Sequence, residues 1–171
     1  MSLDLRSARP DDALAVARVH VRSWQAAYRG LLPDGYLDAL RPEDRAPYYD
    51  FAPTEPLAPS TIVAVEGDRI LGFATTGVST PTATPHAGEL MALYVDPDAW
   101  GRGIGRQLIA EARSRLRTLA FTDAVLWVLV GNVRAQRFYE RDGWAADGQV
   151  RSQRVWGLAV DEIRYRSSLF A

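Results

Sequence analysis

The 171-residue sequence contains no cysteine and no lysine, so all 20 of its basic residues are arginines. Without cysteine there can be no disulfide, no cysteine nucleophile and no thiolate metal ligand. Without lysine there can be no lysine Schiff base and no lysine-bearing phosphate loop. Any chemistry must therefore come from oxygen, imidazole, phenol and arginine groups, together with the backbone.

Long apolar runs and a strong net charge are missing as well. No run reaches the length needed to cross a bilayer, and the first ten residues lack the apolar segment of a secretory signal. We therefore expect a cytoplasmic protein with no membrane partner. The net charge of -1 gives no overall attraction to nucleic acid, so no such partner is expected. His20 and His86 are far apart and form no H-E-x-x-H motif, so no metal is expected.

The pattern of apolar residues predicts a single α/β domain over residues 1–171, built around a mixed sheet. Strands are predicted from alternation and from short apolar runs, and helices from apolar residues at helical spacing. The strand 89–96 is mostly apolar and is expected to be central and buried on both faces. Residues 52–60 and 79–88 are expected to be loops. The predicted strands are 3–7, 61–66, 69–78, 89–96, 123–130, 144–153 and 156–166, and the predicted helices are about 10–30, 36–40, 42–50, 104–116 and 132–142.

A glycine-rich turn joins the predicted strand 89–96 to the next helix. Gly101, Gly103 and Gly105 let the backbone approach a ligand closely and turn several N–H groups inward, beside a helix N-terminus. Such a turn predicts a site for a phosphate or diphosphate. Arg102 and Arg106 oppose the helix dipole, a conflict that a bound anion would remove. The spacing fits neither a G-x-G-x-x-G fingerprint nor a lysine-bearing phosphate loop, and a connector that binds nothing remains the structural alternative.

A second motif follows the predicted strand 123–130. Asn132, Ala135 and Tyr139 share one face of the helix that begins there, which carries an amide, a small residue and a phenol. Taken singly, Asn132 could be a plain helix cap and Tyr139 a core tyrosine with a satisfied hydroxyl.

In this order and spacing the two motifs resemble those of the GNAT superfamily of N-acetyltransferases. The acyl-CoA motif of that superfamily, Gln/Arg-x-x-Gly-x-Gly/Ala, corresponds here to residues 100–105, with Trp100 in place of the usual Gln or Arg. The likeness spans nearly the whole chain in element order and is strongest over residues 89–144. It implies that the strands 89–96 and 123–130 are parallel and splay apart within a mostly antiparallel sheet.

The resemblance also implies a role for the splayed strands and for the turn. The pantetheine arm of acetyl-CoA would lie in the gap and hydrogen-bond the backbone of Leu93 and Val95. It implies an amine acceptor, either a small molecule or a peptide, and homodimers are common in this superfamily. The residues expected to contact the coenzyme are Leu93, Tyr94, Val95, Gly101, Arg102, Gly103, Ile104, Gly105, Arg106, Asn132 and Ala135.

Direct attack of an amine on the thioester requires an uncharged amine, an oxyanion site and a proton for the thiolate. Tyr139 is the candidate general acid, because a phenol stays protonated at neutral pH. Glu89 is the candidate base, since burial in an apolar strand would raise the pKa of its carboxyl. A solvent-exposed strand-end glutamate is the competing interpretation. Glu66 and His86 are weaker candidates.

The resemblance implies that Trp24 and Tyr28 lie in the part of the fold that usually lines the acceptor site, although packing in the core is the commoner role for aromatic residues at helical spacing. The predicted function is therefore acetyl transfer from acetyl-CoA to an unidentified amine. The alternative is an acyl-CoA sensor without catalysis.

Overall fold

The computed structural model describes residues 1–52, 55–79 and 86–170. Most of the loop predicted at 79–88, and part of the one at 52–60, lie outside the described residues. The helices are α1 (Ala13–Ala27), α2 (Asp34–Ala39), α3 (Pro42–Arg45), α4 (Ile104–Thr118) and α5 (Val133–Arg141). The strands are β1 (Leu3–Ser7), β2 (Ser60–Glu66), β3 (Arg69–Val78), β4 (Ala87–Val95), β5 (Asp123–Leu129), β6 (Ala145–Val155) and β7 (Leu158–Ser168).

The strands form one seven-stranded sheet in the order β1-β2-β3-β4-β5-β7-β6. Among these seven strands of the described residues, only β4 and β5 are parallel, and the other neighbours pair antiparallel. The mixed, mostly antiparallel α/β architecture predicted from the sequence is thus confirmed. β7 lies between β5 and β6, so the last hairpin of the chain extends the sheet beside β5.

Helices cover both faces of the sheet. Side chains alternate between the two faces along each strand, so each face contributes its own apolar residues to a core. In β2, Ile62 belongs to the core under α4, whereas Val63 belongs to the core under α1. α5 lies on the same face as α4, where Phe138 packs into the larger core. A third cluster joins α1 and α2 to the β6–β7 hairpin through Trp24, Leu37 and Val160.

Several predicted boundaries need correction. β4 begins at Ala87 and ends at Val95, and β7 begins at Leu158 because Trp156 and Gly157 form the turn after β6. β4 is also not buried on both faces, since Met91 is 47% exposed and residues 92–95 are only half-buried. The physical reason is that β4 separates from β5, which opens one side of the strand onto a cavity.

Candidate active site

The separation of β4 from β5 opens a cavity between the two strands. The two strands pair only where Ala87–Glu89 face Asp123–Val125, and they diverge beyond that point. A cavity of about 660 Å³ occupies the gap. Its walls come from α1, β4, the turn before α4, β5, α5 and the β6–β7 hairpin. The splayed parallel pair expected from the sequence is therefore present.

Backbone groups of β4 line this gap. The N–H of Asp96 donates to the carbonyl of Leu71 in β3 at 2.7 Å, and the register pairs Tyr94 with Phe73. Since successive residues of a strand direct their hydrogen-bonding groups to opposite sides, Leu93 and Val95 direct theirs away from β3 and towards the gap. The two residues expected to meet an extended ligand are therefore the ones whose backbone faces it.

The glycine-rich turn closes one end of the cavity. Gly101 and Gly103 have φ angles of 78° and 79°, in the left-handed region that favours glycine. None of the N–H groups from residue 101 to residue 106 donates to a protein acceptor among the described residues, and α4 begins at Ile104. The turn therefore presents a row of free donors beside a helix N-terminus, an arrangement suited to an anion.

Gly105 contributes through packing. A Cβ at this position would lie 3.3 Å from the ring of Phe138, a tight contact, so the missing side chain lets α5 pack closely against α4. This contact fixes the position of α5, and with it the second motif, relative to the turn.

The two arginines of the turn have different surroundings. Arg102 donates to Glu66 at 2.5 Å, and its side chain is not part of the cavity wall. The predicted contact of Arg102 with the coenzyme is therefore left to its backbone N–H, because its side chain is engaged with Glu66. Arg106 borders the cavity, as do Gly101, Gly103, Ile104 and Gly105.

The second motif lies across the gap from the turn. Asn132 caps α5, because its carboxamide oxygen accepts a hydrogen bond from the N–H of Ala135 at 3.2 Å. The capping interpretation therefore holds for the carboxamide oxygen, which leaves the NH₂ group for a ligand. Both residues border the cavity.

Tyr139 lies at the junction of the cavity and the core. Its ring contacts those of Phe138 and Trp144 edge-on, at centroid distances of 5.3 and 6.2 Å. Burial, with smaller contributions from Tyr94 and Asp142, raises the pKa of its phenol above the ordinary value. The Tyr139 hydroxyl therefore stays protonated at neutral pH and can act only as a proton donor there.

Glu89 lies where β4 and β5 part, and it borders the cavity. Burial raises the pKa of its carboxyl above the ordinary value. Arg151 and the indole of Trp127 act in the opposite direction, whereas the charge of Glu162 raises the pKa further. A carboxylate with a raised pKa is a stronger base than an ordinary one, which suits it to accept a proton.

The aromatic residues of α1 form the opposite wall. Trp24 is 4% exposed, stacks on Trp156 at 4.2 Å and also borders the cavity together with Tyr28. The core-packing and cavity-lining interpretations are therefore compatible.

His20 packs among aromatic rings, and burial lowers the pKa of its imidazole to about 3. His20 is thus neutral at physiological pH, as expected of a packed histidine.

Sequence reasoning missed the contribution of the last hairpin. Glu162 accepts hydrogen bonds from Arg151 at 3.0 Å and from Gln153 at 2.6 Å, and all three border the cavity. Arg151 and Gln153 alternate along β6, which is a readable signal that they share one face. That this face meets the cavity depends on the insertion of β7 beside β5, which no local pattern indicates.

The weaker candidates do not reach the site. Neither Glu66 nor His86 borders the cavity. Glu66 is paired with Arg102, and His86 is exposed just before β4. Within the described ranges, no group of three or more histidine or acidic side chains could hold a metal ion. In the same part of the chain, no helix has the length and apolarity that a membrane span requires.

Comparison with known proteins identifies relatives of this architecture. The sequence profile of the acetyltransferase (GNAT) family matches residues 21–144. The uncharacterized N-acetyltransferase YuaI of Bacillus subtilis is 28% identical over 128 residues, which are 75% of this chain and 72% of that protein. A probable N-acetyltransferase of Mycobacterium tuberculosis is 26% identical over 171 residues, covering 96% of this chain and 93% of its own length.

Other relatives are larger than the chain. A mycothiol acetyltransferase of Actinosynnema mirum is 33% identical over 152 residues, which are 85% of this chain but 46% of that protein. Among solved structures, a similar fold is found in the PaiA N-acetyltransferase of Thermoplasma acidophilum, which was solved in complex with coenzyme A. The two structures superpose with a TM-score of 0.74 at 16% sequence identity, over 98% of this chain and 99% of the other. At that identity the match shows a shared fold.

Proposed function

From the premise that this chain belongs to the acetyltransferase (GNAT) family and is an acetyl-CoA-dependent acyltransferase, we propose that it transfers the acetyl group to an amine by direct attack within a ternary complex. The row of unpaired N–H groups at residues 101–106 carries this proposal. These donors lie at one end of the cavity that Tyr139 and Glu89 also border. An anionic group at the turn would thus anchor a ligand whose reactive end reaches both side chains.

The cavity suits acetyl-CoA in both shape and chemistry. The free N–H groups of the turn would bind the diphosphate, and the backbone of Leu93 and Val95 would bind the amides of the pantetheine arm. Ala135 gives the arm room along α5, and the NH₂ group of Asn132 adds a donor. The coenzyme supplies the thioester that is attacked, and the protein supplies orientation, donors and proton transfer.

The transfer step forms the C–N bond between acceptor and acetyl group and breaks the C–S bond of the thioester. A backbone N–H near residues 93–95 would stabilise the tetrahedral oxyanion. Tyr139 would donate its proton to the departing thiolate, which leaves as the free thiol. Glu89 would accept the proton that the attacking amine loses, either directly or through a water molecule.

The acceptor is an amine on a small molecule or a peptide. The cavity carries the rings of Trp24 and Tyr28 and the carboxyl of Glu89, while Glu162 is paired with Arg151, and this lining favours an amine with an apolar portion. The chain spans less than half of the mycothiol acetyltransferase of Actinosynnema mirum. Acceptors of the mycothiol type are therefore tested as one class of amine among several. The proposal places the reaction in the cytoplasm.

The decisive experiment has two readouts. Thermal unfolding is followed with and without acetyl-CoA, and a ligand at a hundred times its Kd should stabilise the fold by about 2.7 kcal/mol. Free thiol is then followed with acetyl-CoA and a panel of amines. Stabilisation together with amine-dependent thiol release supports the transferase. Stabilisation without release for any amine supports the sensor, and no stabilisation contradicts both.

A further inference from the structure

A cation–π contact crosses the mouth of the cavity. The guanidinium carbon of Arg134, in the first turn of α5, lies 3.4 Å from the centre of the Trp100 ring. Trp100 follows β4 and Arg134 follows β5, so the contact joins the two walls that separate at the gap. Both side chains border the cavity. The indole itself is held in place, because its Nε1 donates to the carbonyl oxygen of Val95 at 2.8 Å.

The charge of Arg134 has no carboxylate partner in the described part of the chain, where no acidic oxygen lies within 4.0 Å of it. Its position in the first turn of α5 also sets it against the positive end of the helix dipole. Of the two arginines of the turn, Arg102 is paired with Glu66, whereas Arg106 borders the cavity. A cation that borders the cavity, has no acidic neighbour and lies over the ring of the residue that precedes Gly101 points to an anionic ligand.

On these grounds we propose that Arg134, positioned by the Trp100 ring, binds the diphosphate of the coenzyme from the α5 side of the cleft. The inference rests on the proposed function and adds a residue that the sequence motifs did not single out. The planar guanidinium can stack on the indole while its outer N–H groups face the phosphate oxygens, a geometry that lysine cannot reproduce. The stacked pair thereby supplies the cation at a position where the resembled motif carries Gln or Arg.

The diphosphate is favoured over the 3′-phosphate of the coenzyme because Trp100 adjoins the free N–H groups at residues 101–106 directly. The guanidinium over the indole is therefore held next to the row of N–H donors that would bind the diphosphate. The two phosphate sources can be separated experimentally with coenzyme fragments.

The test compares Arg134→Gln, Arg134→Lys and the control Arg137→Gln. Arg137 lies on the same helix, is exposed and does not border the cavity, so its variant removes the same charge without touching the cleft. Dissociation constants are measured by calorimetry at fixed ionic strength for acetyl-CoA, 3′-dephospho-acetyl-CoA and S-acetylpantetheine. Thermal unfolding without ligand verifies that each variant is folded.

We expect Arg134→Gln to weaken both diphosphate-containing ligands about tenfold or more, as for a lost charged hydrogen bond. S-acetylpantetheine binding should not change, Arg134→Lys should lose less, and Arg137→Gln should match the wild type. Equal affinities of Arg134→Gln and Arg137→Gln for acetyl-CoA would overturn the inference, and so would a loss that disappears with 3′-dephospho-acetyl-CoA. Wild-type protein that binds no ligand would instead overturn the proposed function itself.

Discussion

The indole Nε1 of Trp100 donates a 2.8 Å hydrogen bond to the carbonyl oxygen of Val95, the last residue of β4. The hydroxyl of Ser23 in α1 donates to the same oxygen at 2.9 Å. The two lone pairs of this carbonyl are therefore used within the protein, and only the N–H of Val95 remains for a ligand in the gap. The residue that departs from the resembled motif thus stabilises the end of the strand.

Replacing Trp100 by phenylalanine separates this structural role from coenzyme binding. The variant loses the indole N–H but keeps an aromatic ring for Arg134, so the free energy of unfolding should fall by about 1 kcal/mol. The affinity for acetyl-CoA should stay within a few fold. Urea denaturation and calorimetry measure the two quantities. A tenfold loss of affinity at unchanged stability would mean that the indole N–H binds the coenzyme rather than Val95.

Local patterns in the sequence predicted the elements and the two motifs, because a strand, a helix or a glycine turn depends mainly on neighbouring residues. The row of donors after β4 and the helix face of Asn132, Ala135 and Tyr139 are of this kind. The splay of the two strands came from the family resemblance. It could not have been read from periodicity, which shows which residues are apolar and not where two strands part.

The contribution of the last hairpin to the cavity was missed for the same reason. Glu162 reaches the cavity only because β7 inserts between β5 and β6, and this placement is decided by tertiary pairing. Arg134 was missed because helical spacing separates it from the face of Asn132 and Ala135. Its long side chain reaches Trp100 only once α5 is docked against α4.

Gly103 tests the backbone geometry of the turn. Gly103→Ala places a side chain at a φ angle of 79°, where no atom lies within 4 Å of the new Cβ. The cost is therefore conformational, about 1–2 kcal/mol of unfolding free energy, and relaxation of the turn should weaken acetyl-CoA binding. Denaturation and calorimetry measure both effects.

Gly35→Ala is the matched control, because Gly35 lies within α2, its φ is not in the left-handed region and its Cβ would also meet nothing. This variant should be as stable as the wild type or slightly more stable. If Gly103→Ala behaved like Gly35→Ala in both measurements, the turn would not need its left-handed conformation.

Tyr139→Phe removes the proposed acid and leaves the ring in place against Phe138 and Trp144. Turnover should fall by roughly 10²–10⁴, the range for general acid catalysis, while acetyl-CoA affinity stays close to that of the wild type. Steady-state kinetics with the best amine of the panel, together with calorimetry, measure the two. Tyr48→Phe, at an exposed position, is the control. Wild-type turnover in Tyr139→Phe would exclude the phenol as the acid.

Glu89→Gln removes the proposed base while keeping the shape of the side chain and an oxygen that can accept from Trp127. Because burial raises the pKa of Glu89, the wild-type rate should increase with pH through a value above that of an ordinary carboxyl, and the variant should lack this step. The pH profile of kcat/KM for the amine measures it. An unchanged acidic limb in Glu89→Gln would assign the titration to the acceptor amine or to another group.

The same raised pKa makes a prediction about stability, with a defined sign. Below the ordinary carboxyl value of 4.5, Glu89 is protonated in the folded and in the unfolded chain, and its titration costs the fold nothing. As the pH rises, the unfolded chain releases the proton first, so the wild type should lose stability relative to Glu89→Gln until the folded pKa is passed. Urea denaturation of both proteins at pH 4 and pH 8 measures the change. A difference that moved in the opposite direction would show that Arg151 and Trp127 stabilise the carboxylate more than burial destabilises it. Glu89 would then be an ionised anchor for the acceptor and not a base with a raised pKa.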